Sequence, residues 1–118
     1  MLLHADRYSH ELVMATGEFT VNILPRGMEK VVQYCGSVSG REVDKLAAQG
    51  LTALPAGRVE VPVLKEAFIH LECRVIYQSD FDRSALVKPV LNEIYGEKKA
   101  MHRLFCGEIL ACGRDEKA

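Results

Sequence analysis

Two serines and two glycines lie close together in the stretch from Tyr34 to Lys45, between two predicted helices. Gly36 stands where the first helix would end, and Ser39 stands where an N-cap for the second helix belongs. A loop of this kind exposes backbone N–H groups at a helix start, where an anion or the polar edge of a ring can bind. The Ser39-Gly40 pair taken alone is also typical of a plain helix-to-helix turn.

The four cysteines could bind a metal or form disulfides only if their spacing allowed it. Cys35, Cys73, Cys106 and Cys112 include no Cys-x-x-Cys pair and have no histidine at the spacing of zinc ligands. Three of them fall within strand-like segments, where a reduced thiol acts as a small apolar side chain. We therefore expect reduced, structural cysteines and no metal site. Cys35 is the exception to follow, because it borders the loop.

The size and charge of the chain limit its class. Its 118 residues form one predicted domain, 1–118, with a core of modest size. A net charge of −1 gives no electrostatic basis for binding nucleic acid or an anionic membrane. No apolar run approaches the roughly 20 residues of a membrane span, and no signal-peptide core follows Met1, so we expect a cytoplasmic protein.

The elements around the loop are predicted from apolar periodicity and from turn residues. Ser9 is expected to cap a helix that ends at Gly17, and residues 19–24 alternate as a half-buried strand does. Residues 28–35 present one apolar helical face, and residues 41–49 present another. The serine-glycine loop is therefore expected to join two helices that follow the first strand.

The second half of the chain is predicted to be mainly strand. A short strand is expected at 58–61, the longest at 67–78 and the last at 102–112. The longest strand carries apolar residues on both faces, as the wall of a barrel does. Gly107, in the middle of the last strand, indicates a bulge, a bend or the close approach of another backbone.

Residues 80–100 interrupt these strands. A helix is predicted to begin at Ser84, to be disturbed by Pro89 and to end at Gly96. The charged tail, 113–118, is expected to be solvated or frayed. The whole pattern indicates an α+β domain with a mainly antiparallel sheet, whose open edges could pair with another chain. We therefore expect a dimer.

Seven short motifs occur in a fixed order from Arg7 to about Cys112. They are Arg7-x-Ser9, Gly17-Glu18-Phe19-Thr20-Val21-Asn22, Tyr34-Cys35-Gly36-x-x-Ser39-Gly40, Asp44-Lys45-Leu46, Gly50-Leu51, Leu71-Glu72-Cys73-Arg74-Val75 and His102-x-Leu104-Phe105-x-Gly107-Glu108-Ile109. No single motif is specific, but together the seven resemble the flavin reductase-like, FMN-binding split-barrel family, in particular its flavoredoxin-type members.

The resemblance implies a fold, an assembly and a function. The fold is a split β-barrel related to the Greek-key class, and the assembly is a homodimer with FMN in a groove at the subunit interface. The function is electron transfer through that flavin, often with reduced nicotinamide, NAD(P)H, as the donor. The chain would then be either an electron-transfer protein or an NAD(P)H:flavin oxidoreductase, and whether it is an enzyme stays open. FMN against FAD, and the redox partner, also stay open.

Two motifs resemble the part of the family site that contacts phosphate and flavin. Arg7 and Ser9 match the phosphate-side motif of the family. A guanidinium and a hydroxyl at a helix start can hold a phosphate dianion. The alternative is a surface arginine beside an ordinary N-cap. Ser39 and Gly40 match the loop that approaches the flavin, where glycine permits close backbone contact. A plain turn is again the alternative.

Three further residues take candidate roles from the same resemblance. Lys45 follows the Asp-Lys pattern of the family, and a cation near the N1/O2 edge of the flavin would stabilise the reduced ring. Cys35 could face the ring, although a packed thiol is the simpler interpretation. His102 matches the histidine that opens the last strand, close to where nicotinamide would stack, and could orient a cofactor or shuttle a proton.

The match also has a gap. Members of the family carry a further segment ahead of the Arg-x-Ser motif, which forms the first barrel strands and contacts FMN. From this sequence we therefore expect an incomplete barrel and a flavin groove that lacks one wall. The alternative function is a shortened, non-catalytic dimeric paralogue that does not bind flavin tightly.

Overall fold

A four-stranded antiparallel sheet forms the centre of the computed structural model, which describes residues 1–97 and 100–114. Strands of the described residues are Leu2–His4 (β1), Glu18–Ile23 (β2), Ala53–Leu54 (β3), Val63–Leu64 (β4), Ile69–Asp80 (β5) and His102–Arg114 (β6). The main sheet has the order β1-β6-β5-β2, and β3 pairs with β4 in a separate two-stranded sheet. Every one of these pairings is antiparallel, which confirms the α+β, mainly antiparallel prediction.

Helices fill the connections between the strands. They are Tyr8–Thr16 (α1), Glu29–Ser37 (α2), Lys45–Gln49 (α3) and the single turn Lys88–Val90 (α4), which continues into a π-helical turn at Leu91–Tyr95. A 3₁₀ turn at Arg83–Ala85 precedes α4. The first three helices lie between β1 and β3 in the chain. The sequence predicted three helices in this half of the chain, but neither of these two short strands.

Helix α1 begins two residues earlier than predicted. Its N-cap is Arg7, so Ser9 lies in the first turn, and the prediction that Ser9 caps the helix is wrong. None of the described side chains accepts a hydrogen bond from the first turn. The predicted stop at Gly17 is confirmed. Its φ of 69° is accessible to glycine at little cost, and its N–H donates to the Val13 carbonyl at 2.8 Å.

The loop between α2 and α3 is longer than predicted. Helix α2 includes Gly36 and ends with Val38 as its C-cap, so the expected stop at Gly36 is wrong. Asp44, and not Ser39, is the N-cap of α3, because its carboxylate accepts the N–H of Ala47 at 3.2 Å. The predicted helix 41–49 is therefore reduced to its last five residues.

Residues 39–43 form a separate turn in front of that cap. The N–H groups of Glu42 and Val43 both donate to the carbonyl of Ser39 at 3.1 Å. The Ser39 hydroxyl in turn accepts the N–H of Arg41 at 3.2 Å. Ser39 thus organises a local turn of its own, which leaves the helix start to Asp44.

The strand predicted at 58–61 is not formed. These residues are bends, and the N–H of Arg58 donates to a carboxylate oxygen of Glu72 at 2.5 Å instead of to a neighbouring strand. This backbone hydrogen bond is also the largest cause that lowers the pKa of Glu72. The short strands β3 and β4 lie on either side of the bends, and neither was predicted.

Strand β5 lies two residues later in the chain than predicted, and β6 extends two residues further than predicted. Strand β6 includes Gly113 and Arg114, which pair with His70 and Ile69 of β5, so the expected frayed tail is wrong for these two residues. The rest of that tail, 115–118, lies outside the described residues.

The connection from β5 to β6 is only partly as predicted. Asp82 rather than Ser84 caps the 3₁₀ turn, because its carboxylate accepts both the N–H and the hydroxyl of Ser84, at 2.9 and 2.6 Å. Pro89 does not disturb a helix, since it lies in the first turn of α4, where a missing N–H costs nothing. The helical segment ends at Gly96, as predicted.

The core lies between α1 and the sheet face that the helix covers. Its buried residues are Val13 of α1, Phe19 of β2, Cys73 of β5 and Phe105 of β6, and Phe105 is only 1% exposed. All four cysteines of the chain are free thiols, and burial raises the pKa of Cys73. The alternation of residues 19–24 predicted a half-buried strand, and Phe19 in that strand is buried.

Gly107 gives Phe19 the space to lie across β6. A β-carbon built at position 107 would lie 2.6 Å from Cζ of Phe19 and 3.1 Å from Cβ of Cys73. The pairing of β5 with β6 also shifts in register on either side of this contact, once between Glu72 and Cys73 and once between Val75 and Tyr77. The bulged residues are Leu110 on β6 and Ile76 on β5, and Gly107 itself is paired with Val75. The close neighbour of Gly107 is the Phe19 side chain, where the sequence predicted a bulge, a bend or another backbone.

Candidate functional site

One open cleft collects every residue that the sequence suggested for a site. It has a volume of about 1270 Å³ and lies between the start of α1, the loop after α2 and the start of β6. Among the residues that line it are Arg7, Ser9, Cys35, Ser39, Gly40, Lys45 and His102. These seven come from four separate parts of the chain, so only the tertiary fold brings them together.

The start of α1 supplies free donors to the cleft. Within the described part of the chain, neither the Arg7 guanidinium nor the Ser9 hydroxyl makes a hydrogen bond or an ion pair. The first N–H groups of α1 also have no side-chain cap there. A guanidinium, a hydroxyl and uncapped helical N–H groups together form a surface suited to a phosphate or carboxylate.

Arg41 fastens the serine-glycine turn to the start of α1. Its guanidinium donates to the Asp6 carbonyl at 3.0 Å and to the Glu11 carboxylate at 2.8 Å, and it lies 5.3 Å from the ring centroid of Tyr8. The sequence prediction missed this residue, because its partners lie 30 and 35 residues earlier and no spacing rule connects them. The adjacent Gly40 was the only available signal.

Gly40 allows this turn to approach α1 closely. A β-carbon at position 40 would lie 3.0 Å from Cδ2 and 3.5 Å from Cε2 of the Tyr8 ring. Any larger residue would therefore push the turn or the tyrosine aside. The lack of a side chain at Gly40 thus lets the turn pack against Tyr8 of α1, and the predicted contact of Gly40 with a flavin stays a prediction.

Lys45 lies at the rim with its ammonium partly engaged. Its Nζ donates to the carbonyl of Cys35 at 2.6 Å, and two of its three N–H donors remain for another partner. The contact ties α3 to the end of α2 and keeps one positive charge at the cleft. Cys35 itself is half-buried and free.

His102 lies on the opposite side of the cleft among aromatic rings. The hydroxyl of the buried Tyr95 is within hydrogen-bond distance of His102 Nδ1, and the ring of His4 packs edge-on at 5.1 Å. Burial lowers the pKa of His102, and the neighbouring His4 lowers it further. Both effects favour the neutral form of the His102 ring. Sequence reasoning missed Tyr95, which lies seven residues before His102 in the chain.

Two kinds of feature are absent from the described residues. No group of three or more His, Cys, Asp or Glu side chains is placed to hold a metal ion in residues 1–97 and 100–114. In the same ranges, none of the helices combines the length and apolar character needed to cross a membrane.

The fold and the cleft define the class of protein: a half-barrel whose cleft is lined by hydrogen-bond donors. Comparison with known proteins gives the family. The flavin reductase like domain model matches residues 1–118, so the chain belongs to that family. An uncharacterized protein of Archaeoglobus fulgidus is 33% identical over 93 residues, which cover 78% of this chain and 52% of the relative. The resemblance seen in the seven motifs is thereby confirmed.

Solved structures confirm the split-barrel fold. Flavoredoxin from Methanosarcina acetivorans is 29% identical, with a TM-score of 0.74 over 98% of this chain and 52% of its own. An FMN-binding protein from Thermus thermophilus is 26% identical, with a TM-score of 0.74 over 99% of this chain and 53% of its own. The chain spans about half the length of the relatives and structures it matches.

Proposed function

We propose that the chain binds FMN in the cleft and acts in electron transfer as a flavoredoxin-type protein, with NAD(P)H as the candidate donor. The observation that carries the proposal is the convergence of seven candidate residues from four parts of the chain on one cleft. The flavoredoxin and FMN-binding neighbours support the same choice of cofactor.

The donors at the cleft fit the chemistry of a flavin nucleotide. A phosphate needs positive charge and several donors, and the free Arg7 guanidinium, the Ser9 hydroxyl and the uncapped start of α1 offer both. A volume of about 1270 Å³ also leaves ample space for a nucleotide of this size. A bound flavin would supply the capacity to accept and release electrons.

The protein's own residues then bind and orient. The turn held by Arg41 presents Ser39 and Gly40 at the lining of the cleft. The remaining Lys45 donors place positive charge at the same lining, which favours an electron-rich ligand. The neutral His102 on the opposite side can hold a polar ligand atom without adding charge.

The proposed assembly is a homodimer in which the partner completes the cleft. Two observations support it: β1 and β2 are the edges of the main sheet, and Ile76 and Ile109 on its long strands are 66% and 58% exposed. Sedimentation of the protein with and without FMN measures this directly. A monomer at both conditions would refute the proposed assembly.

Titration with FMN tests the proposed site. Purified protein is mixed with FMN, and binding is followed by quenching of flavin fluorescence. Arg7→Ala removes a charge-assisted contact and should raise Kd about ten- to a hundredfold, equivalent to about 1.5–3 kcal/mol. Arg26→Ala removes a similarly exposed arginine outside the cleft and should leave Kd unchanged.

The outcome separates the two candidate functions. Saturable binding that weakens in Arg7→Ala supports a flavin site at the start of α1. A protein that stays colourless when FMN is added supports the non-catalytic paralogue instead. Equal affinity for FMN in Arg7→Ala and Arg26→Ala would place the flavin elsewhere and refute the assigned site.

A further inference from the structure

Tyr95 is the only buried residue of the described segment 83–97, and its hydroxyl contacts His102. The side chain is 4% exposed and comes from the π-helical turn that precedes β6. Its hydroxyl is within hydrogen-bond distance of His102 Nδ1 and also 3.4 Å from the backbone N of His102. Tyr95 does not line the cleft, whereas His102 does.

The donors and acceptors around the Tyr95 hydroxyl determine which nitrogen of His102 carries the proton. A backbone N–H can only donate, so the Tyr95 oxygen accepts from the backbone of His102. The hydroxyl has one proton of its own, and Nδ1 is the acceptor in contact with it. If Nδ1 carried the proton instead, the buried hydroxyl proton would have no acceptor among the described residues, which is costly. A neutral His102 therefore has its proton on Nε2.

The ring of His102 is also held against rotation. His4 packs edge-on against it with centroids 5.1 Å apart, and Phe81 lies tilted at 6.3 Å. His4 stacks in turn on Tyr95 at 6.4 Å. A ring flip would exchange Nδ1 for a carbon in front of the Tyr95 hydroxyl and would lose the hydrogen bond. The neighbours therefore fix the orientation as well as the tautomer.

We propose that Tyr95 is a positioning residue, which holds His102 as the Nε2–H tautomer so that the cleft receives a neutral N–H donor. The ligand atom this donor suits is an uncharged or electron-rich acceptor, such as a carbonyl oxygen of a heteroaromatic ring. The identity of this ligand as a flavin or nicotinamide ring rests on the proposed function. The tautomer itself does not depend on any ligand.

Nitrogen NMR of the ligand-free protein measures the tautomer. In the native chain, we expect His102 Nδ1 to give a pyridine-like signal and Nε2 a pyrrole-like signal at pH above the pKa of His102. Tyr95→Phe removes the hydroxyl, so the two signals should move toward each other as both tautomers become populated. Tyr34→Phe removes a hydroxyl that has no contact with His102 and should leave both signals in place.

The pKa of His102 provides a second readout with a definite sign. A hydroxyl that donates to Nδ1 stabilises the neutral ring, so Tyr95→Phe should raise the pKa of His102 by about one unit. Among the described residues, the titratable side chains in ring contact with His102 are His4 and Tyr95, so the titration is followed in parallel for His4. A lowered pKa in Tyr95→Phe would show that Nδ1 donates, and the proposal would be wrong.

The two proposals fail independently. A pyrrole-like Nδ1 in the native protein overturns the role of Tyr95, whether or not FMN binds. If the tautomer is as proposed but FMN does not bind, the flavin function fails and the positioning role stands. The native spectrum alone decides the tautomer, so the conclusion does not depend on the folding of any variant.

Discussion

The contact between Phe19 and the backbone of β6 gives the sharpest test of the fold. Gly107 has no positive φ, so alanine at this position carries no backbone strain. Its β-carbon, however, would lie 2.6 and 2.8 Å from two ring carbons of Phe19 and 3.1 Å from Cβ of Cys73. Phe19 and Cys73 are both buried, so neither can move into solvent to make room.

The expected magnitude follows from two opposing effects. Overpacking a buried site costs about 1–3 kcal/mol, while replacing glycine by alanine gains about 0.4–1 kcal/mol by restricting the unfolded chain. Gly107→Ala should therefore lower the free energy of unfolding by about 1–2 kcal/mol. For a domain of this size that is a fall in Tm of roughly 5–10 °C.

Gly113 in the same strand provides the matched control. A β-carbon there would lie 3.6 Å from Nδ1 of His70, an ordinary contact, so Gly113→Ala should leave Tm unchanged or slightly higher. Chemical denaturation followed by circular dichroism measures both variants. Adding Phe19→Leu to Gly107→Ala should cost less than the sum of the single changes. Equal stability of Gly107→Ala and Gly113→Ala would refute the packing described for this face.

Two further predictions concern charged groups at element ends. Asp44→Ala removes the cap of α3 and should lower the free energy of unfolding by about 1 kcal/mol in the same denaturation assay, whereas Ser39→Ala should cost less. Asp80 accepts two hydrogen bonds from Arg103, at 2.7 and 3.1 Å, and this contact lowers its pKa below the ordinary 3.8. The stabilisation is present above that value and is lost as pH falls through the lowered pKa, so Asp80→Asn should flatten the loss of stability below about pH 4.

Each of these has a result that would contradict it. If Asp44→Ala unfolds at the same denaturant concentration as the native chain, the side chain does not cap α3. For Asp80, the comparison variant is Glu42→Gln, which removes an exposed carboxylate whose side chain has no cation partner within the described residues. Identical acid profiles for Asp80→Asn and Glu42→Gln would show that Arg103 does not set the pKa of Asp80.

Local patterns predicted the main strands and three of the helix ends. Alternation placed β2, β5 and β6 within a few residues, and Gly17, Gly50 and Gly96 end helical segments as expected. These signals are local: the apolar periodicity of a strand and the glycine that ends a helix depend on neighbouring residues in the sequence and not on the tertiary fold.

The starts of helices were predicted less well, for a common physical reason. A serine was expected to cap three helices, but Arg7, Asp44 and Asp82 occupy the cap positions. Several neighbouring residues could cap equally well by type, and the turn of the preceding chain decides which one does. In two of the three cases a nearby aspartate accepts the hydrogen bond, as a charged acceptor does more strongly.

The candidate site was found through its motifs, while the contacts that hold it together were not. Position in a family pattern was enough to place Arg7 and His102 at one cleft. The contacts of Arg41 with Glu11 and of Tyr95 with His102 depend on how loops fold over the sheet. No periodicity in the sequence carries that information.

The two register shifts between β5 and β6 have a consequence for how this sheet can vary. The pairing skips Leu110 on one strand and Ile76 on the other, so the residues at both ends of the pair keep the same alignment. Extra residues of this kind increase the local bend and twist of a sheet. The curvature that brings the start of β6 to the cleft therefore depends on how many residues each strand contains. Ile76 is 66% exposed and lies outside the core, but its deletion would remove one bulge and leave the two ends of the strand pair one residue out of alignment.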